Sequence, residues 1–399
     1  MARGRTKEKR VESYTIASRR VLMADGSVAD TTVTVEDGRI AAIGGSARGS
    51  LRDVGDAWVL PGAIDLHGDA FERQVMPRPG VHFPLDLALQ DTDAQLIANG
   101  ITTAYHGVTW SWEPGLRGRA TTIALKAAIE AARPRLACDT RFHLRHETHN
   151  LEAEAEILDW LADGTVDLLA FNDHTDMILE RIETKGRSTT TETARTGLSH
   201  DAFMDLLREV VGRKPGVPES VRRLAEAATG HGVALASHDD STPETRRDYN
   251  AMGCRIAEFP MNTPTAEAAV ELGDPVICGA PNIVRGGSHL GAEGISAARE
   301  VREGRCTILV TDYYYPSLVQ APFLLARAGD ASFAEAWALI SANPAAAAGL
   351  DDRGRIDEGL RADLTIVDAS ADDGAPVPAR VIGTIVGGAV AHASGALAV

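Results

Sequence analysis

What most constrains this chain is a rhythm: between residues 58 and 311, short apolar segments suited to strands alternate with longer stretches rich in Ala, Leu and Glu. Strands separated by helices are not joined as hairpins, so they pair in parallel with the helices packed outside. Strand candidates fall at 58–66, 102–108, 141–147, 168–172, 233–237, 256–259, 276–279 and 307–311. Helical candidates at 120–132, 151–162, 221–231 and 332–340 separate or follow them. Eight such units over roughly 290 residues match the size of an α/β (β/α)8 TIM barrel, which typically takes about 250. A doubly wound sheet is the runner-up.

The chain ends differ in character. Residues 13–17, 20–22, 32–35 and 39–43 alternate as short strands, with turns at Asp25-Gly26 and Asp37-Gly38. Residues 354–356, 362–367, 378–386 and 389–392 repeat the pattern between Gly, Pro and Asp turns. This organisation predicts a composite β-sandwich from 11–58 and 352–399, a barrel over 59–351, and a disordered arm at 1–10. The least periodic part is 173–220, with 188–196 wholly polar or small. It reads as a lid or as a solvated insertion.

Forty basic against 56 acidic side chains leave a net charge of −16, a field that repels phosphate backbones and anionic lipid. Nucleic acid and membrane are therefore excluded as expected partners. A compact phosphorylated small molecule is not, because pairing at contact distance overrides the screened field. The cysteines Cys138, Cys254, Cys278 and Cys306 are too sparse for a disulfide framework. Together with the absence of a long apolar run, they point to the cytoplasm. A homo-oligomer is compatible with the sequence.

The strongest local signal is Pro61-Gly62-Ala63-Ile64-Asp65-Leu66-His67-Gly68-Asp69, an apolar strand that ends in His and Asp two residues apart. Side chains at i and i+2 leave a strand on one face, so both can enter a barrel mouth and share a divalent metal. Further titratable residues follow at the C-terminal ends of other candidate strands, where barrel enzymes place their sites. They are His143 to Glu147, Asn172-Asp173-His174, Ser237-His238-Asp239-Asp240 and Thr311-Asp312. His67, Asp69, Glu147, His174, His238 and Asp312 supply enough donors for two divalent ions, Glu147 being placed to bridge them. Zn, Mn, Fe or Ni suits such a donor set, Zn best. Asp312, on the last strand, is the natural general base.

The start VLPGAIDLHGD, the bracketing β segments and the late VTD strand resemble the amidohydrolase superfamily, metal hydrolases with a TIM barrel and a small β-sandwich made from both chain ends. A narrower resemblance lies in five blocks. They are His67-Gly68-Asp69 with Glu72 and Pro77-Arg78-Pro79-Gly80-Val81; Ala94-Gln95 with Gly100-Ile101-Thr102-Thr103; Leu235 to Asp240; Ala257-Glu258-Phe259-Pro260; and Gly279 to His289. These are similar to the diphosphatases of the carbon-phosphorus lyase pathway for phosphonates. That resemblance implies cleavage of pyrophosphate from α-D-ribose 1-methylphosphonate 5-triphosphate, with His67, Asp69, Glu147, His174, His238 and Asp312 aligned to the family's metal positions. The chain departs from the family's DHTPGQ at Asp173-His174-Thr175-Asp176-Met177, from its SGN at Leu290-Gly291-Ala292, and from its SDY at Thr311-Asp312-Tyr313.

Arg285-Gly286-Gly287 suits a phosphorylated substrate if backbone amides and a guanidinium approach one anion; the competing reading is an ordinary turn that needs glycine. Arg78, held between two prolines, and His289 complete the substrate-binding candidates. The alternative function is an amidohydrolase acting on a cyclic amide or amino-heterocycle, as a cyclic amidase or deaminase, since one fold hosts many chemistries. A metal-free scaffold is disfavoured because charged groups have no physical reason to persist in a low-dielectric cleft.

Overall fold

The computed structural model describes residues 13–184, 186–288, 294–369 and 378–397. The expected N-terminal arm, His289 and the departure at 290–292 lie outside the described residues. Eight parallel strands form one sheet in chain order: Ala63–Gly68, Ile101–Trp110, Asp139–Glu147, Leu168–Asn172, Ala234–His238, Ile256–Glu258, Val276–Gly279 and Ile308–Val310. The first and last meet through a parallel bridge between Gly68 and Asp312. There Asp312 N donates to His67 O and Asp69 N donates to Asp312 O, each at 2.9 Å, so the sheet closes into a barrel.

The seam explains one glycine. A Cβ on Gly68 would lie 2.6 Å from Asp65 Oδ2 and 3.0 Å from Thr311 Oγ1, where the two strands approach too closely for a side chain. Asp65 is fully buried and accepts from Thr311 N at 3.0 Å and Thr311 Oγ1 at 2.5 Å. Burial first, and the nearby Asp69 charge, raise its carboxyl to about 6.

Residues buried on both faces need apolar filling on both. Ile64, Leu66, Tyr105, Leu168, Ala236, Ile277 and Val310 fill the barrel interior, while Val108, Phe142, Leu144 and Phe171 pack outward against helices such as Arg119–Ala132 and Val217–Gly230. Each buried Leu, Ile or Phe contributes about 1.5–3 kcal/mol. That packing makes the barrel the rigid part on which loops can be carried.

The second sheet draws on both ends. Its order runs Ala389–Ala393, Arg380–Val386, Leu364–Asp368, Trp58–Pro61, Tyr14–Leu22, Val28–Glu36, Arg39–Ile43, with Ser50–Asp53 paired to Tyr14–Leu22. Asp37 (φ 47°) and Gly38 (φ 78°) make the expected two-residue hairpin turn. Ile16, Val33, Val59, Leu364 and Ile385 form its core.

Three expectations change. The single strand at 58–66 is two: Trp58–Pro61 pairs antiparallel with Leu364–Asp368 in the second sheet, and only Ala63–Gly68 enters the barrel. Residues 354–356 form no strand. The polar run 188–196 contains the helix Thr190–Thr196, one of three, with Thr175–Glu183 and His200–Val211, that build the insertion after the fourth strand. Ile182, Phe203, Met204 and Leu207 give that insertion its own small core. Its buried apolar positions come from Thr175–Glu183 and His200–Val211, while Thr190–Thr196 contributes none.

Candidate metal centre

The C-terminal ends of the barrel strands bring His67, Asp69, His238 and Asp312 together. Three overlapping groups of ligand atoms, each within 4.8 Å of one another, are His67–Asp69–Asp312, His67–His238–Glu258 and His174–His238–Asp239. The pairing of the first strand shifts register between Asp65 and Gly68, and beyond that irregularity His67 and Asp69 reach one group of ligand atoms, while strand pairing sets His238 opposite Glu258.

Backbone conformation sharpens the convergence. Asp239 (φ 57°), Phe259 (φ 52°) and Asp312 (φ 54°) follow the fifth, sixth and eighth strands in the left-handed region, which non-glycine residues rarely occupy. Such strain costs on the order of 1–3 kcal/mol per residue and clusters where function needs a side chain re-aimed. Phe259 stands edge-on to His67 at 5.0 Å and to His238 at 5.2 Å between ring centroids, which fixes both imidazoles.

His67 Nδ1 donates to Glu258 Oε1 at 3.2 Å, and both side chains are essentially inaccessible. Burial first, and the Arg145 charge, hold the His67 imidazole well below its ordinary range, so it is neutral and its Nε2 carries a lone pair. His143 Nδ1 donates to Leu66 O at 3.0 Å. His174 lies between two carboxylates, with Nδ1 2.6 Å from Glu147 Oε1 and Nε2 2.9 Å from Asp239 Oδ2. Burial opposes its charge, yet Glu147 and Asp239 push it up to about 10. Glu147 moves the other way, to about 2, since burial is outweighed by the His174 charge and hydrogen bond. Asp312 is raised to about 7 by burial and by Asp69 beside it.

This donor set fits a divalent cation. Imidazoles and at least five carboxylates converge in a buried place, and His143 Nε2, Glu258 Oε2 and His238 Nδ1 lack hydrogen-bond partners there. Among these groups Arg145 already supplies positive charge, its guanidinium 3.3 Å from Asp69 Oδ2 and donating to His238 Nε2 at 3.2 Å. It competes with a cation for those lone pairs.

The remaining expectations divide. Glu147 sits with His174 rather than between the two halves, and none of the three ligand-atom groups includes it. Arg285 lines the cleft of about 480 Å³ above the cluster, together with Arg145, His238, Phe259 and Asp312, and its Nη1 donates to Tyr313 Oη at 3.4 Å. The amides of Arg285, Gly286 and Gly287 do not face this cleft as free donors. They donate to Pro281 O, Ile283 O and Asn282 O at 2.9, 3.1 and 2.8 Å, ending the helix Ala280–Val284. The glycine at 286, with φ 75°, serves that turn. Arg78 is exposed in a tight hairpin with Val81 and does not line the cleft.

Glu258 is a site residue that strand-end reasoning did not name, while His143, Arg145 and Asp239 stand among the titratable strand ends without having been taken as ligands. A signal existed: His143, Arg145 and Glu147 alternate along the third strand onto the inner face.

The amidohydrolase family matches residues 320–392. The α-D-ribose 1-methylphosphonate 5-triphosphate diphosphatase of Escherichia coli (strain K12) is 31% identical over 360 residues, 86% of this chain and 93% of that one. Among solved structures, dihydropyrimidinase from Brevibacillus agri superposes with a TM-score of 0.65 at 13% identity, covering 96% of this chain and 95% of the other. A triazine hydrolase variant gives 0.64 at 15% identity, with 96% and 95% covered. The two structures share the fold, and the relative's identity over nearly its whole length shows the family: this chain belongs to the amidohydrolases and is a metal-dependent hydrolase.

Proposed function

We propose that this chain hydrolyses the phosphoanhydride nearest the ribose of α-D-ribose 1-methylphosphonate 5-triphosphate, releasing pyrophosphate and leaving the 5-phosphate, as a step in phosphonate degradation. The observation that carries this reading is a carboxylate- and histidine-rich cluster opening into the same cleft as Arg285, in a chain whose relative bears that activity's name. A cationic wall beside a metal centre suits a polyanion; a cyclic amide has no use for it.

His67, Asp69 and Asp312 would hold one divalent ion, and His174, His238 and Asp239 a second, with Glu147 orienting His174 through its Nδ1. Zn, Mn, Fe or Ni fits these nitrogens and oxygens. When bound, such ions acidify water and polarise phosphoryl oxygens. Asp312 Oδ accepts the proton of the attacking water, and its burial beside Asp69 gives it the basicity for that transfer. Arg285 takes up charge that develops on the departing diphosphate. Phe259 and the insertion narrow the cleft and exclude bulk water, which strengthens each of these interactions.

The test is hydrolysis in 18O-enriched water with phosphorus NMR of the products. The reading predicts label in the ribosyl 5-phosphate and none in pyrophosphate. Label in orthophosphate, or no turnover of the triphosphate, contradicts it.

A further inference from the structure

We propose that the helical insertion after the fourth strand recognises the polyphosphate tail of the substrate through Arg187, which faces Arg285 across the cleft. The proposal rests on the triphosphate reading above and adds to it a second wall and a reason for the insertion.

Both arginines line the same cleft. The fourth and seventh strands stand three places apart in an eight-strand cylinder, so the segments that follow them meet across the mouth. The surroundings of Arg187 single it out. In the insertion, Arg181 pairs with Glu192, Arg195 with Glu113, Arg208 with Glu183, Arg213 with Glu209 and Lys214 with Asp176. Arg187 has no acidic partner among the described residues, and neither has Arg285, whose guanidinium meets only the Tyr313 hydroxyl. Of the other arginines lining the cleft, Arg145 is engaged by Asp69 and Arg181 by Glu192. In a chain carrying 56 acidic against 40 basic side chains, carboxylates are plentiful, yet these two cations are left for something from outside.

The placement is built into the backbone. Gly186 takes φ 60°, and Arg187 N donates to Arg181 O at 3.2 Å, which turns the chain back over the end of helix Thr175–Glu183. The cleft is thereby graded, with carboxylates and imidazoles at the buried strand ends and free guanidiniums at the exposed rim. One ligand that satisfies both ends is a polyanion long enough to reach from the metal centre to the rim. A neutral heterocycle gives the rim no charge to pair with.

The experiment compares wild type with Arg187→Gln, Arg187→Lys and Arg285→Gln, with Arg327→Gln as an exposed-charge control. Steady-state rates are measured on ribose 1-methylphosphonate 5-triphosphate. Inorganic tripolyphosphate is titrated calorimetrically into metal-loaded protein, with bound metal assayed before and after to detect chelation. Loss of one exposed charge-assisted contact weakens binding on the order of tenfold. Arg187→Gln and Arg285→Gln should each raise KM and the tripolyphosphate Kd by about that factor with kcat little changed, Arg187→Lys should recover part, and Arg327→Gln should match wild type. If wild type binds tripolyphosphate and Arg285→Gln weakens it while Arg187→Gln does not, the insertion's role is refuted and the triphosphate reading survives. If Arg187→Gln instead lowers kcat together with metal content, Arg187 is structural and the proposal falls. If wild type neither binds tripolyphosphate nor turns over the ribosyl triphosphate, both readings fall together.

Discussion

Replacing Glu258 separates what this residue does for the fold from what it does for the metal. Its carboxylate is buried, accepts from His67 Nδ1 at 3.2 Å, and leaves Oε2 without a hydrogen bond, 3.8 Å from His143 Nε2. A carboxylate on Nδ1 fixes the imidazole tautomer, orients the ring and makes Nε2 a better ligand; losing such a partner typically costs 10–100-fold in metal affinity or activity. The structure divides that range. In Glu258→Gln the amide oxygen still accepts from Nδ1, so the tautomer survives and only the charge is lost, predicting a weakening of about 10-fold. In Glu258→Leu both are lost, predicting about 100-fold. Stability of the metal-free protein should move the opposite way for Gln, unchanged or raised, because a buried carboxylate beside a neutral imidazole is costly to desolvate. The assay is competition for Zn against a calibrated chelator, alongside thermal unfolding of metal-free protein. Equal Zn affinity in wild type and Glu258→Leu would show that His67 is not oriented through Glu258 for a metal.

Asp312→Asn should retain His67 and His238 as ligands yet lower kcat by a factor of roughly 10² to 10⁴, the range of general-base catalysis; normal turnover with metal retained removes Asp312 as the base. Arg246 is fully buried, 3.2 Å from Asp240 and 3.5 Å from Asp274, and donates to Ser237 Oγ and Cys254 O. Arg246→Met strands two buried carboxylates, so denaturant unfolding should show a loss of about 3–5 kcal/mol, and a loss under 1 kcal/mol would mean the network relaxes. His106 is buried against Phe71, and desolvation first, then Arg133, lowers it to about 4. Protons therefore favour the unfolded chain below the ordinary histidine value, and stability present above pH 6.5 is lost as pH falls towards 4, by up to roughly 3 kcal/mol. His106→Gln should lose less between pH 7 and 4.5 than wild type does, and parallel losses would assign the acid sensitivity elsewhere.

The barrel was legible because parallel strands buried on both faces read as largely apolar runs, and titratable residues gather at the C-terminal ends of several of them, as His67, His238 and Asp312 do. The seam at Gly62 was not, since Trp58–Pro61 and Ala63–Gly68 form one apolar stretch and only tertiary pairing assigns its halves to different sheets. Glu258 was hidden for a related reason: one carboxylate after two apolar residues resembles the end of a strand, and its meeting with His67 spans 191 residues of sequence. Arg285-Gly286-Gly287 misled in part, because glycine beside arginine suits an anion cradle and a helix end equally well. The carbonyls of Pro281, Asn282 and Ile283 decide for the helix end. In the insertion Phe203, Met204, Leu207 and Val210 stand at helical spacing and were there to be read, whereas Thr190–Thr196 is polar throughout its length except for Ala194 and carries no such period.

The central claim is a metal-dependent release of pyrophosphate at the cluster of His67, Asp69, His238 and Asp312. Its most direct test is to strip the protein of metal, restore Zn, Mn, Fe or Ni stepwise, and follow both bound metal and pyrophosphate formed from ribose 1-methylphosphonate 5-triphosphate. The account predicts no release without metal, and release that rises with occupancy and levels off at about two ions per chain. Release that persists in metal-free protein, or a fully metal-loaded protein that leaves the triphosphate intact, would contradict it.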